Sequence, residues 1–170
     1  MKVVYPGSFD PITLGHLDII QRASSKFDEV VVLILNNPSK KVMFDVSQRI
    51  SFIEEAIKNY DNVIVDSYDG LLVEYLRINR IDSIVKGLRA FTDFEYEFQM
   101  ALMNHYLEPD METFFLMTSN KYSFVSSSMV KEASKFGADI SALVPKHVNA
   151  AIISKIRGDN QWQLISCWRN

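Results

Sequence analysis

The sequence predicts one α/β domain: a doubly wound, Rossmann-like parallel sheet of five strands with helices on both faces. Short runs rich in Val, Ile and Phe alternate along the chain with stretches of helical spacing. The runs are apolar throughout rather than at every second residue, which is the pattern of strands covered on both faces. No repeat, low-complexity stretch or linker divides the 170 residues, and that length suits one domain. Strands alternating with helices imply right-handed crossovers, and ligands then bind at the carboxyl ends of the strands.

Val3–Tyr5 reads as the first strand, and Leu17, Ile20, Ala23 and Phe27 keep a helical period behind it. Val30–Leu35 is the second strand. Asp45 stands three residues before Gln48, a capping-box pair, and opens a helix through Ile50, Ile53, Ala56, Ile57 and Tyr60. Val63–Val65 and Ile84–Val85 supply the third and fourth strands. Phe94, Phe98, Ala101, Leu102 and His105 repeat the helical spacing before a fifth strand, Thr113–Met117. Gly137 follows Lys135-Phe136 as a helix stop, and Pro145 opens the last long helix. The domain is expected over residues 1–157. The polar tail 158–170, with Trp162 and Trp168, fits no sheet-building pattern and is expected either to be disordered or to cover a subunit surface.

Apolar residues make up 48% of the chain and charged ones 23%, so a core of ordinary size needs no covalent staple. Net charge is −3 with no basic run, which removes the electrostatic footprint of a nucleic-acid binder. The one cysteine, Cys167, cannot form an internal disulfide and has no ligand cluster around it, which fits a reducing compartment. Pro6 and Gly7 interrupt any signal peptide, and no apolar stretch reaches the length of a membrane span. The expected setting is the cytoplasm, with small molecules as partners, no nucleic acid and no membrane.

Five motifs carry chemistry. The first, Tyr5-Pro6-Gly7-Ser8-Phe9-Asp10-Pro11-Ile12-Thr13-Leu14-Gly15-His16, forms a tight loop after the first strand. Its Gly15-His16 end opens a helix, whose free N–H groups and positive dipole end attract phosphate. A histidine there can donate to a phosphoryl oxygen; taken alone, Gly-His is better read as a structural cap, and the whole stretch reverses that preference. It is neither a Walker A loop nor a Gly-x-Gly-x-x-Gly fingerprint. The second, Asn36-Asn37-Pro38-Ser39-Lys40-Lys41, places lysines after the second strand, where a solvated surface pair is the plainer reading. The third, Lys86-Gly87-Leu88-Arg89, flanks with two cations a glycine that allows close backbone approach.

The fourth, Asp93-Phe94-Glu95-Tyr96-Glu97, puts Asp93 and Glu97 on one helix face. Paired carboxylates suit acid–base work or a metal; a solvated face is favoured, since a negative pair would repel triphosphate. The fifth, Tyr122-Ser123-Phe124-Val125-Ser126-Ser127-Ser128, ends in three serines before a helix. One suffices as a cap, and the others are expected to aim hydroxyls and N–H groups at an anion. Met100, Met103 and Asn104 line an apolar slot or plain core. His105 and His147 read as structural, and no residues form a metal site.

Taken in order, these motifs resemble the signature of the nucleotidylyltransferase superfamily related to class I aminoacyl-tRNA synthetases. Within it they are similar to the bacterial phosphopantetheine adenylyltransferase family over about the first 157 positions. The resemblance implies transfer of the adenylyl group of ATP to 4′-phosphopantetheine, giving dephospho-CoA and pyrophosphate. It implies that His16 stabilises the transition state, that Ser8 contacts both substrates, and that Lys40 contacts the acceptor phosphate and the reacting centre. It places Lys86 at the acceptor too, where family members commonly have arginine, so the charge is kept and the planar fork lost. By the same resemblance Phe9, Gly87, Leu88, Arg89, Glu97 and residues Tyr122, Ser123, Phe124, Val125, Ser126, Ser127 and Ser128 bind ATP. Leu72 and Asn104 touch the acceptor, and the assembly is a homohexamer.

No nucleophile stands beside a base, so direct in-line attack of an ionised phosphate on the α-phosphorus is expected, with catalysis by orientation and charge stabilisation. Mg2+ is expected to arrive with ATP. The alternatives are a nicotinamide-mononucleotide adenylyltransferase or a cytidylyltransferase, and a non-catalytic ATP-binding sensor.

Overall fold

The computed structural model describes residues 1–36, 41–89 and 91–167, with side chains described throughout except at 91, 92 and 159–167. Five parallel strands, β1 (Lys2–Gly7), β2 (Glu29–Leu35), β3 (Val63–Tyr68), β4 (Ser83–Leu88) and β5 (Glu112–Met117), lie in the order β3-β2-β1-β4-β5. The helices are α1 (Leu14–Ser24), α2 (Val46–Ile57), α3 (Leu72–Asn79), α4 (Phe91–Leu107), α5 (Ser127–Lys135) and α6 (Lys146–Cys167). This is the Rossmann-like α/β fold the alternating pattern predicts.

The apolar runs are explained by where their alternate residues go. Val3, Tyr5, Val30, Val32 and Ile34 face a core completed by Ile19 and Ile20 of α1, Ile53 of α2 and Ile152 of α6. Val4, Val31, Leu33 and Ile84 face the opposite core, closed by Val73 and Leu76 of α3. A strand buried on both faces has no polar side to show.

Pairing is continuous within each half of the sheet and sparse between the halves. β1 pairs with β2 from Lys2↔Glu29 to Gly7↔Ile34, and β4 with β5 from Ser83↔Glu112 to Leu88↔Met117. Between β1 and β4 one register pair stands, Val4↔Ile84. Strand order reverses between the same two strands, the position at which open α/β sheets form a ligand crevice.

Two details depart from the sequence reading. Helix α3 was not anticipated. Its N-cap, Leu71, makes no side-chain cap bond, and its C-cap, Arg80, lies in the left-handed region (φ 55), where glycine is the usual stop signal. Helix α6 runs across the expected boundary at 157/158 as far as Cys167. Trp168 and the side chain of Trp162 lie outside the described residues.

Candidate active site

A cavity of about 430 Å³ opens at the carboxyl ends of β1 and β4. Its floor is the loop after β1, which runs from Gly7 through Ser8 and Phe9 to Thr13. Phe9 is buried and holds a left-handed backbone (φ 44), and the Asp10–Pro11 peptide is cis. Asp10 fastens the loop from behind. Its carboxylate accepts the N–H groups of Met43 (2.9 Å) and Phe44 (2.9 Å) and pairs with Lys131 of α5 at 2.7 Å.

His16 occupies the third position of α1, where a capping box ordinarily has Glu or Gln. The Thr13 side chain accepts the His16 N–H, and His16 Nδ1 accepts the Thr13 N–H at 3.0 Å. With Nδ1 an acceptor, the neutral ring carries its proton on Nε2 and keeps a donor free. The Phe9 ring meets the imidazole edge-on at 5.1 Å between centroids and fixes its plane. Burial, and then the Arg89 guanidinium, pull the His16 pKa down to about 4. His16 is therefore a neutral hydrogen-bond donor at neutral pH.

The opposite wall comes from β4 and α4. Arg89 Nε lies 2.8 Å from Asp93 Oδ2 and its Nη2 3.0 Å from Asp93 Oδ1, while Nη1 donates to the Val125 carbonyl at 3.2 Å. Lys86 Nζ lies 3.0 Å from Glu97 Oε2, an ion pair without hydrogen-bond alignment, so that oxygen is left buried without a hydrogen bond. Asp93 and Glu97 thus line the cavity and hold its cations in place. This corrects the solvated face: each acid is screened by its own cation and does not confront a triphosphate bare. Gly87 lines the cavity and also has a packing role, since an added Cβ would lie 2.9 Å from Ile19 Cγ1. It lets α1 pack directly on β4.

The third side is the start of α5. Ser126 is its N-cap and accepts the Met129 N–H at 3.1 Å. Ser127 Oγ donates to the Pro11 carbonyl at 2.7 Å, and Ser123 Oγ to the Asn120 carbonyl at 3.0 Å. Of the three serines, one expected as a cap and the others as anion contacts, Ser128 alone keeps an uncommitted hydroxyl among the described residues. The N–H groups of Ser127 and Ser128 in the first turn remain available among the described residues.

Ser8, Phe9, His16, Lys86, Gly87 and Arg89 therefore share one cavity wall, with Glu97, Val125, Ser126, Ser127 and Ser128. Leu88 is buried behind that wall, Phe124 is exposed, and Tyr122 and Ser123 stand outside the lining. Lys40, with Pro38 and Ser39, lies outside the described residues. Thr13, Asp93, Tyr96 and Thr118 line the cavity without having been singled out as its wall.

A second cavity, of about 710 Å³, adjoins the first and has mostly apolar walls. Leu35, Leu72, Met100, Met103 and Asn104 form it, and Lys86 belongs to both cavities. Asn104 is buried at its edge. The methionines and Asn104 of α4 are thus a cavity wall rather than core.

Residues 4–133 match the family described as Cytidylyltransferase-like. A phosphopantetheine adenylyltransferase of Clostridium perfringens is 51% identical over 159 residues, covering 92% of this chain and 97% of the relative. One from Alkaliphilus oremlandii is 54% identical over 156 residues, covering 91% and 99%. Among solved structures, the Plasmodium falciparum nicotinic acid mononucleotide adenylyltransferase complexed with NaAD superposes with a TM-score of 0.66 at 15% identity, over 95% of this chain and 97% of that one. At that identity the likeness is one of fold.

Proposed function

The chain belongs to the phosphopantetheine adenylyltransferases, within the cytidylyltransferase-like family, and from that membership we propose that it transfers the adenylyl group of ATP to 4′-phosphopantetheine, giving dephospho-CoA and pyrophosphate for coenzyme A synthesis. The observation that carries the reading is the pair of cavities meeting at Lys86. One is lined by phosphate-binding features, and the other is apolar enough for a pantetheine arm.

In this reading ATP lies across the starts of α1 and α5, its phosphates on Ser8, Phe9, Gly87, Arg89 and the Ser126–Ser128 turn. Glu97, Leu88 and the 122–125 segment serve the nucleoside side. The acceptor extends along Leu72 and Asn104 with its phosphate at Lys86, Ser8 and Lys40. That phosphate is already ionised and attacks the α-phosphorus in line, pyrophosphate leaving on the far side without a general base. His16 Nε2–H, Lys40, Lys86 and Arg89 stabilise charge on the α-phosphoryl oxygens. The two carboxylates on the wall are each engaged by a cation, and among the described residues no three His, Cys, Asp or Glu stand together. Mg2+, expected to arrive with ATP, would supply neutralisation of charge on its phosphates. No helix among the described residues is long and apolar enough to cross a membrane, and we place the enzyme in the cytoplasm.

The test is pyrophosphate release from ATP with Mg2+, with and without 4′-phosphopantetheine. Release that depends on the pantetheine compound is expected. Release that depends instead on nicotinamide mononucleotide would overturn the acceptor, and ATP binding without release under any acceptor would mean a sensor.

The same membership leads us to propose a homohexamer over residues 1–157 of each subunit, with the tail at a subunit surface. Exposed apolar side chains on α4 and β5, among them Leu102, Tyr106 and Met117, suit burial between copies. Sedimentation equilibrium is expected to give six times the chain mass of 19.5 kDa, and a monomer at micromolar concentration would refute it.

A further inference from the structure

We propose that Arg49, which touches neither cavity, is a positioning residue that holds the Ser8–Phe9 peptide with its N–H toward the phosphate site. The proposal deepens the adenylyltransferase reading and rests on it for the identity of the phosphate. Arg49 projects from α2 with its side chain 1% exposed, and it is the largest fully buried side chain described. Its Nη1 donates to the Ser8 carbonyl at 2.8 Å and its Nε to the Asp45 carbonyl at 3.3 Å. No carboxylate among the described residues pairs with it. An arginine stays charged when buried, and a buried charge without a counter-ion is costly where methionine or leucine would fill the same space. Space-filling alone does not account for a guanidinium here.

What the guanidinium does is set by peptide geometry. The Ser8–Phe9 bond is trans, so its carbonyl and N–H point in opposite directions. Arg49 draws the carbonyl toward α2, which turns the Phe9 N–H the other way. Phe9 lines the cavity, and its N–H makes no hydrogen bond among the described residues. A nearly buried residue with an open backbone donor is a ready anion contact. Holding it there matters because Phe9 sits at φ 44, a left-handed conformation that a non-glycine residue keeps only when its surroundings impose it. The positive charge behind the peptide further strengthens the donor.

Four proteins test this: wild type, Arg49→Met, Arg49→Lys, and Asp45→Ala. The last removes the side-chain cap of α2 but leaves the Ser8 bond, and so controls for lost stability. Acceptor-dependent pyrophosphate release, the ATP dissociation constant and the urea midpoint are measured on each. Arg49→Met is expected to lose on the order of a hundredfold in kcat with weaker ATP binding and little change in KM for 4′-phosphopantetheine. Arg49→Lys should recover part of that loss. Asp45→Ala should turn over as wild type despite a lower midpoint. The proposal is overturned by a folded Arg49→Met at wild-type turnover, or by Asp45→Ala falling as far. If Arg49→Met does not fold, Arg49→Lys decides: turnover below that of Asp45→Ala supports the role, and equality removes it. A wild type that releases no pyrophosphate would sink the proposed reaction, and the ATP affinities would then judge Arg49 alone.

Discussion

Replacing His16 by alanine is expected to lower kcat by on the order of 10²- to 10³-fold while the KM for each substrate changes far less, as loss of one donor to a developing charge does. The structure makes the expectation specific. The ring is fixed by the Thr13 N–H on Nδ1 and by Phe9 edge-on, so Nε2–H is delivered in one orientation. His16→Gln separates the two jobs of the ring. Its Oε1 can restore the capping box to Thr13, so stability should return while most of the turnover does not. Turnover of the alanine variant within about threefold of wild type would remove His16 from the transition state.

The pH behaviour carries its own sign. Burial and Arg89 lower the folded pKa to about 4 from an ordinary 6.5. Between those values the unfolded chain binds a proton at His16 that the folded chain does not. This group therefore costs stability as pH falls through that window and contributes nothing above it. An acid limb of kcat/KM near pH 6 would then belong to the second ionisation of the acceptor phosphate, which falls at about that pH. It should persist in the residual activity of His16→Ala. Disappearance of the limb in that variant would reassign it to the imidazole.

Asp10→Ala is expected to cost about 3–5 kcal/mol of folding stability in urea, the range for breaking a buried ion pair by removing one partner. The carboxylate is 4% exposed and satisfies three donors from two distant segments. Its loss strands the Lys131 ammonium, which is 23% exposed, and orphans the N–H groups of Met43 and Phe44. Lys131→Met should cost less, because Asp10 keeps its two backbone donors. A loss below about 1 kcal/mol for Asp10→Ala would mean that water replaces the carboxylate at no penalty.

Much of the fold could be read from the sequence because burial on both faces leaves strands no polar positions. Val30–Leu35 is such a run, and its alternate residues enter two separate cores. Helix α3 escaped because it lacks punctuation: Leu71 offers no cap and Arg80 stands where a glycine would announce the end. The loop after β1 and the start of α5 were legible because Gly, Pro and Ser have local conformational meaning. The serines were legible only as a group; that Ser127 spends its hydroxyl on Pro11 depends on a loop distant in sequence. The roles of Asp93 and Glu97 were misread for a related reason. A carboxylate pair on a helix looks solvated until β4 brings Arg89 and Lys86 against it. Arg49 had no signal at all, since a helical arginine is ordinarily a surface residue.

The Val4↔Ile84 pair joins β1 to β4, directly below the cavity that opens at the carboxyl ends of these two strands. His16 follows β1, at the start of α1, and Arg89 follows β4. A nucleotide held by both bridges the two strands, and that bridge is withdrawn once in every cycle, when the adenylylated product leaves after pyrophosphate. Because a ligand that binds only the folded form stabilises it by mass action, the durability of the chain in the cell follows the supply of its own substrate as well as the bonds written in its sequence.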